Sequence, residues 1–123
     1  MSMTEQPRRR ILIVEDEMLI AMLVEQMVLD LGYDVVGPAV SVDEALRFTQ
    51  TDVIDCAILD MNLGRGAVST PIALVLESRG IPYILASGYG ATQTSRGHRA
   101  TTVLNKPFLT DDLEKALRQI FPV

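Results

Sequence analysis

Apolar residues gather in short, dense runs, and the stretches between them mix apolar and polar positions at wider spacing. RILIV (10–14) reads as a fully buried strand. YDVVG (33–37), DCAILD (55–60), PYILAS (82–87) and TTVL (101–104) read as four more. Residues 17–31 are rich in Leu, Met and Ala and predict a helix, with Gly32 as its stop. Ser41 and Glu44 have the spacing of a capping box, which opens a helix through about Gln50 and leaves Ala45, Leu46 and Phe48 for burial. Residues 68–80 predict a helix that takes Pro71 in its first turn and ends near Gly80. Residues 88–100, rich in Gly, Ser and Thr, specify a short or frayed helix at best. Thr110 is placed to cap a last helix, with Asp111 and Asp112 at the positive end of its dipole. Leu113, Ala116, Leu117 and Ile120 then mark one apolar face.

Five strands thus alternate with about five helices. Strands that are apolar throughout belong to a parallel sheet covered by helices on both sides, so the fold class is α/β. No repeat or linker interrupts the chain, and the division is a short extension (1–9) followed by one domain (10–123). A length of 123 residues supports a core without staples, and the 48% hydrophobic content fits a compact protein. Net charge of −5 argues against nucleic acid as a direct partner. Arg8, Arg9 and Arg10 form the only basic run, which reads as a solvated cluster flanking the first strand. Cys56 is alone, which excludes an internal disulfide, fits a cytoplasmic setting and suits a small buried hydrophobe. No segment has the length of a membrane span, and the first ten residues lack the apolar core of a signal peptide.

The chemistry lies at the strand ends. Open α/β sheets bind ligands beyond the carboxyl ends of their strands, where strand order reverses. Glu15 and Asp16 follow the first strand, Asp60 ends the third, Ser87 closes the fourth and Lys106 follows the fifth. Three acids crowded there are tolerable around a hard divalent cation, and Mg²⁺ prefers oxygen ligands. Asp16, Asp60 and the backbone carbonyl of Asn62 are the candidate direct ligands, with Glu15 acting through a coordinated water. Each piece alone has a plainer explanation: Asp16 can cap the first helix, and Lys106 can be a solvated charge. Their joint placement carries the weight. In NKPF (105–108), proline restricts Lys106 to extended backbone and aims its ammonium over the crevice. Lys106 is one of two lysines against nine arginines, and a compact point charge suits a phosphoryl group or carboxylate.

VEDE, LDMN, ASG and NKPF, each at a strand end, together resemble the receiver domain of two-component response regulators, from Arg10 to about Phe121. The resemblance implies a flavodoxin-like doubly wound (βα)5 fold with strand order 2-1-3-4-5. It implies Asp60 as the phosphoacceptor, taking its phosphoryl group from a histidine kinase or histidine phosphotransfer protein in a Mg²⁺-dependent reaction. Lys106 and Ser87 would hold the phosphoryl oxygens. With no output domain, signalling would run through a downstream protein target or by draining phosphate from a shared kinase, by a monomer or weak dimer.

Three departures qualify the match. Val103 stands where the family keeps a switch aromatic, and Tyr89 is the candidate substitute. MNLGRGAV follows Asp60 where many receivers carry a Met-Pro turn. The 88–100 helix is poorly specified. IPYILASGYG is similar to a stand-alone receiver subfamily with a Phe-Ala-Thr-Gly stretch, paired with HWE-type kinases, in which that segment would order on signalling. His98, the single histidine, reads as an exposed loop residue. The competing readings are a non-phosphorylated pseudo-receiver acting as an interaction module, a phosphohydrolase and a flavin carrier. A phosphohydrolase would want its nucleophile after strand one in an Asp-x-Asp pair. Carboxylates after strand one would repel a flavin phosphate.

Overall fold

The computed structural model describes residues 8–61, 69–87 and 102–122. Its elements are β1 (Arg10–Val14), α1 (Met18–Asp30), β2 (Asp34–Ala39), α2 (Val42–Thr51), β3 (Cys56–Asp60), α3 (Thr70–Ser78), β4 (Tyr83–Ser87), β5 (Thr102–Asn105) and α4 (Thr110–Ile120). All strand pairs are parallel, in the order β2-β1-β3-β4-β5. This is the doubly wound flavodoxin-like order that the sequence implied. Residues 88–100, with Tyr89 and His98, lie outside the described residues.

Alternation along each strand sorts the core into two layers. Ile11 and Ile13 of β1 join Ile58, Ile84, Val24, Val28, Leu113 and Leu117 under α1 and α4. Leu12 and Val14 face the other way, into a cluster with Leu59, Leu85, Ala45, Ile72 and Leu76 under α2 and α3. The central strands are buried on both faces, which is why their runs are apolar without alternation. Cys56 is one such residue, and burial pushes its thiol up to about 12.

β2 runs two residues further than YDVVG suggested, through Pro38. As an edge strand it tolerates a proline. Gly37 makes the extension possible: its φ is +93°, and a Cβ there would lie 2.7 Å from the Ala39 nitrogen and 3.2 Å from the Ile13 carbonyl. The β1–β2 register shifts at this point.

Two expected caps differ in detail. The Ser41 hydroxyl accepts from the Glu44 N–H at 3.2 Å, but the Glu44 carboxylate reaches past Ser41 to the Val40 N–H at 2.8 Å. Thr110 is not the cap of α4 but its first residue. Leu109 holds the cap position, and its N–H donates to the Asp112 carboxylate at 2.9 Å. The arginine run is also more tied down than a solvated cluster. Arg10 donates to Val53 O and to the Asp52 carboxylate at 2.8 and 3.1 Å, and the Arg9 guanidinium lies 4.8 Å from the Phe121 ring centre. No helix among the described residues is long and apolar enough to cross a membrane.

Candidate functional site

β1 sits between β2 and β3, so the chain leaves β1 and β3 in opposite directions and opens a crevice at their carboxyl ends. Val14 pairs with Leu59, which sets Glu15 beside Asp60 one step on. Asp60 in turn pairs with Ala86, and Ser87 pairs with Asn105, the residue before Lys106. Backbone bonds extend each pairing past the strand ends: Glu15 N–H to Ala39 O at 2.9 Å, Met61 N–H to Ala86 O at 3.0 Å, and Lys106 N–H to Ser87 O at 2.6 Å. Five of the residues expected from the sequence are therefore held on one rigid sheet edge. Asn62 and Tyr89 lie outside the described residues.

Glu15 and Asp60 are buried, while Asp16 is more open to solvent. One carboxylate oxygen from each of the three lies within 4.8 Å of the others. Capping does not explain this crowding. Glu17, not Asp16, holds the cap position of α1, and no side-chain cap bond is made there. Instead the Lys106 ammonium lies between two of the acids, 2.7 Å from Glu15 Oε1 and 3.0 Å from Asp60 Oδ1. The other Glu15 oxygen accepts from the Glu17 N–H at 3.2 Å.

Burial raises the Glu15 carboxyl above its usual range, and the Asp60 charge adds to this. Hydrogen bonds from Lys106 and the Glu17 N–H pull the other way without cancelling it. For Lys106, burial works against the ammonium, but its bonds to Glu15 and Asp60 and their charges outweigh that. The lysine is held above its usual range. Three carboxylates with only oxygen donors suit a hard divalent cation such as Mg²⁺. A buried hydroxyl residue, Ser87, and a lysine at the same edge suit an anionic group set against that cation.

Val103 pairs with Leu85 and packs, half buried, on the α2–α3 layer. One feature escaped the sequence reading. Residues 18–24, MLIAMLV, predict only a helix, yet Met18, Leu19, Met22 and Leu23 face outward, and Leu23 lines a groove with Pro107 and Phe108. The absence of any polar residue across two turns was the available signal.

Residues 11–118 match the model of the response regulator receiver domain. The transcriptional regulatory protein PdtaR of Mycobacterium tuberculosis is 30% identical over 112 residues, covering 89% of this chain and 55% of that protein. The chain thus spans about half the length of the curated relatives it matches. The solution structure of SdrG from Sphingomonas melonis Fr1 is 39% identical with a TM-score of 0.80, covering 95% of this chain and 99% of that one. The response regulator PhyR from Brucella abortus is 31% identical with a TM-score of 0.83, covering 94% and 49%. The chain belongs to the response regulator receiver domain family, a signalling module of two-component regulation.

Proposed function

We propose that the chain is a phosphorylatable receiver whose acceptor is Asp60. The observation that carries this reading is the convergence of Glu15, Asp16 and Asp60 within 4.8 Å, with Lys106 bridging two of them. A carboxylate oxygen of Asp60 attacks the phosphorus of a phosphohistidine on a histidine kinase or histidine phosphotransfer protein. A P–O bond forms, the P–N bond breaks, and its electron pair returns to the imidazole. Asp16, Asp60, the Asn62 carbonyl and Glu15, the last through a water, would hold a Mg²⁺ ion, which supplies charge neutralisation for the phosphoryl oxygens. Lys106 already sits at Asp60 and follows the new negative charge, and the Ser87 hydroxyl donates to it. Water later hydrolyses the acyl phosphate and restores Asp60.

Output then runs through a protein contact or by draining phosphate from a shared kinase, in the cytoplasm, as a monomer or weak dimer. With Val103 aliphatic, an aromatic rotamer switch in β5 is unavailable. Tyr89 and ordering of the segment after β4 would take its place, as suits a receiver paired with an HWE-type kinase. That same valine favours the second reading, a pseudo-receiver that works by contact alone.

Incubation with a small phosphodonor and Mg²⁺, read by intact mass, separates the two. Wild type gains one phosphoryl group, whereas Asp60→Asn and a chelated sample gain none. Failure with small donors, beryllofluoride and phosphorylated kinases alike would leave the contact module.

A further inference from the structure

The run Arg8-Arg9-Arg10 takes no part in the phosphoryl chemistry, yet the fold surrounds it with aromatic rings. Arg10 opens β1, Tyr33 stands just before β2 and Asp55 just before β3, so all three lie at the amino ends of parallel strands, the pole opposite Asp60. Phe121, just after α4, returns to the same pole. Together with Arg8 and Arg9 these residues line an open cavity of about 610 Å³. Small-molecule sites fall between roughly 300 and 1,000 Å³ and combine apolar walls with a few placed polar groups.

The cavity has an aromatic floor and one uncommitted cation. The Tyr33 and Phe121 ring centres are 6.0 Å apart, tilted by 38°, and the Arg9 guanidinium lies 4.8 Å from the Phe121 centre. Arg10 is held within the fold by Val53 O and the Asp52 carboxylate, and Arg8 is 3.9 Å from Asp34. Arg9 makes no ion pair among the described residues. Asp55 accepts the Arg10 N–H on Oδ2 at 2.8 Å, which leaves Oδ1 for another donor. At the mouth, Gly32 has a φ of +94° and a Cβ there would meet nothing within 4 Å, so nothing crowds the rings from that side.

These features select a ligand. A partly exposed aromatic floor stacks a further planar ring. The Arg9 guanidinium over Phe121 retains N–H donors for phosphate oxygens. The Asp55 carboxylate would repel an anion set against it, but accepts from sugar hydroxyls. A flat ring, a hydroxylated middle and an anionic end are the parts of a nucleoside phosphate.

We infer that the cavity at the amino ends of the strands binds a nucleoside monophosphate, with its base on Tyr33 and Phe121, its sugar hydroxyls at Asp55 and its phosphate at Arg9 and Arg8. The inference goes beyond the phosphoryl reading and stands whether or not Asp60 takes a phosphoryl group.

The full chain, labelled with ¹⁵N, is titrated with AMP, GMP, CMP and UMP, with the matching nucleosides and with inorganic phosphate. Chelator keeps metal-bound phosphate away from Glu15 and Asp60. At least one monophosphate binds with a Kd tighter than about 1 mM and shifts the Gly32, Tyr33 and Asp55 amides, not those of Glu15 and Asp60. Its nucleoside and inorganic phosphate bind about tenfold more weakly or worse. Arg9→Gln weakens the monophosphate about tenfold, and Tyr33→Leu about fivefold or more. Lys115→Gln, the same charge lost from α4 outside the cavity, changes it by less than about twofold. Tyr33 packs on the edge of the α1–α4 layer whereas Arg9 is exposed, so Arg9→Gln decides the matter should Tyr33→Leu fail to fold, and circular dichroism checks both.

The inference is overturned if no monophosphate binds tighter than about 1 mM, if inorganic phosphate binds as well, or if the shifts centre on Glu15 and Asp60. Binding untouched by Arg9→Gln overturns it too, since Arg9 then serves only to hold Phe121.

Discussion

Lys106→Met keeps most of the lysine stem and removes a positive charge set between Glu15 and Asp60. The ammonium makes contacts of 2.7 and 3.0 Å with two buried carboxylates. Breaking a fully buried pair from one side costs about 3–5 kcal/mol, because the remaining charge is stranded. Here the Lys106 side chain is 21% exposed, so water screens part of that cost and roughly 2–3 kcal/mol is expected. At about 2.1 cal/mol/K per residue, 123 residues give an unfolding entropy near 0.26 kcal/mol/K, and the midpoint falls by about 8–12 °C. The pH dependence has a definite sign. Glu15 is raised by burial, and the lysine's hydrogen bond is the largest influence holding it down. Without that bond its carboxyl rises further and takes up a proton on mild acidification, which relieves the stranded charge. A carboxyl raised in the folded state favours folding at low pH, and that advantage is lost as pH climbs through its folded value. The variant's deficit should therefore shrink between about pH 7.5 and pH 5. Thermal and urea unfolding in chelator, on both proteins at both pH values, measure it. A deficit below about 0.5 kcal/mol near pH 7.5, or one that grows on acidification, refutes the reasoning.

Three further outcomes follow from the same geometry. Gly37→Ala, at φ +93° with backbone atoms 2.7 and 3.2 Å from the new Cβ, should cost about 2 kcal/mol or more in urea; a neutral result would mean that the β2 edge relaxes freely. Ser41→Ala removes the hydroxyl that accepts from Glu44 N–H and should cost about 1 kcal/mol, with an unchanged urea slope. Magnesium affinity by titration calorimetry should fall from about pH 7.5 to about pH 5, because the raised Glu15 carboxyl must shed its proton beside the ion. Equal affinity at both values would remove Glu15 from the ion's surroundings.

The strands and their ends were legible because buried parallel strands leave an unmistakable mark: ILIV, CAIL and YILA have no polar positions to misplace. That put Glu15, Asp60, Ser87 and Lys106 at one edge before any coordinates. What failed needed information from elsewhere in the fold. Arg10 is anchored by Asp52 and Val53, more than forty residues away in sequence, so its run of three looked merely solvated. Glu44 found Val40 instead of Ser41, a choice between two adjacent donors that spacing does not resolve. The outward side of α1 was missed for a deeper reason. An apolar run reports that a surface avoids water, not which body covers it, and MLIAMLV carries no polar residue to mark which side faces outward. In fact Ala21 and Val24 point inward, while Met18, Leu19, Met22 and Leu23 do not.

The stacking of Arg9 on Phe121 at 4.8 Å joins the residues just before β1 to those just after α4 at the pole opposite Asp60. A short linker between these two points would close the chain into a ring without stretching either element, and new ends could be opened at the exposed turn around Val53. Such a circular permutant would reorder the sequence while leaving every pairing at the crevice intact, making chain connectivity an adjustable variable for engineering this scaffold.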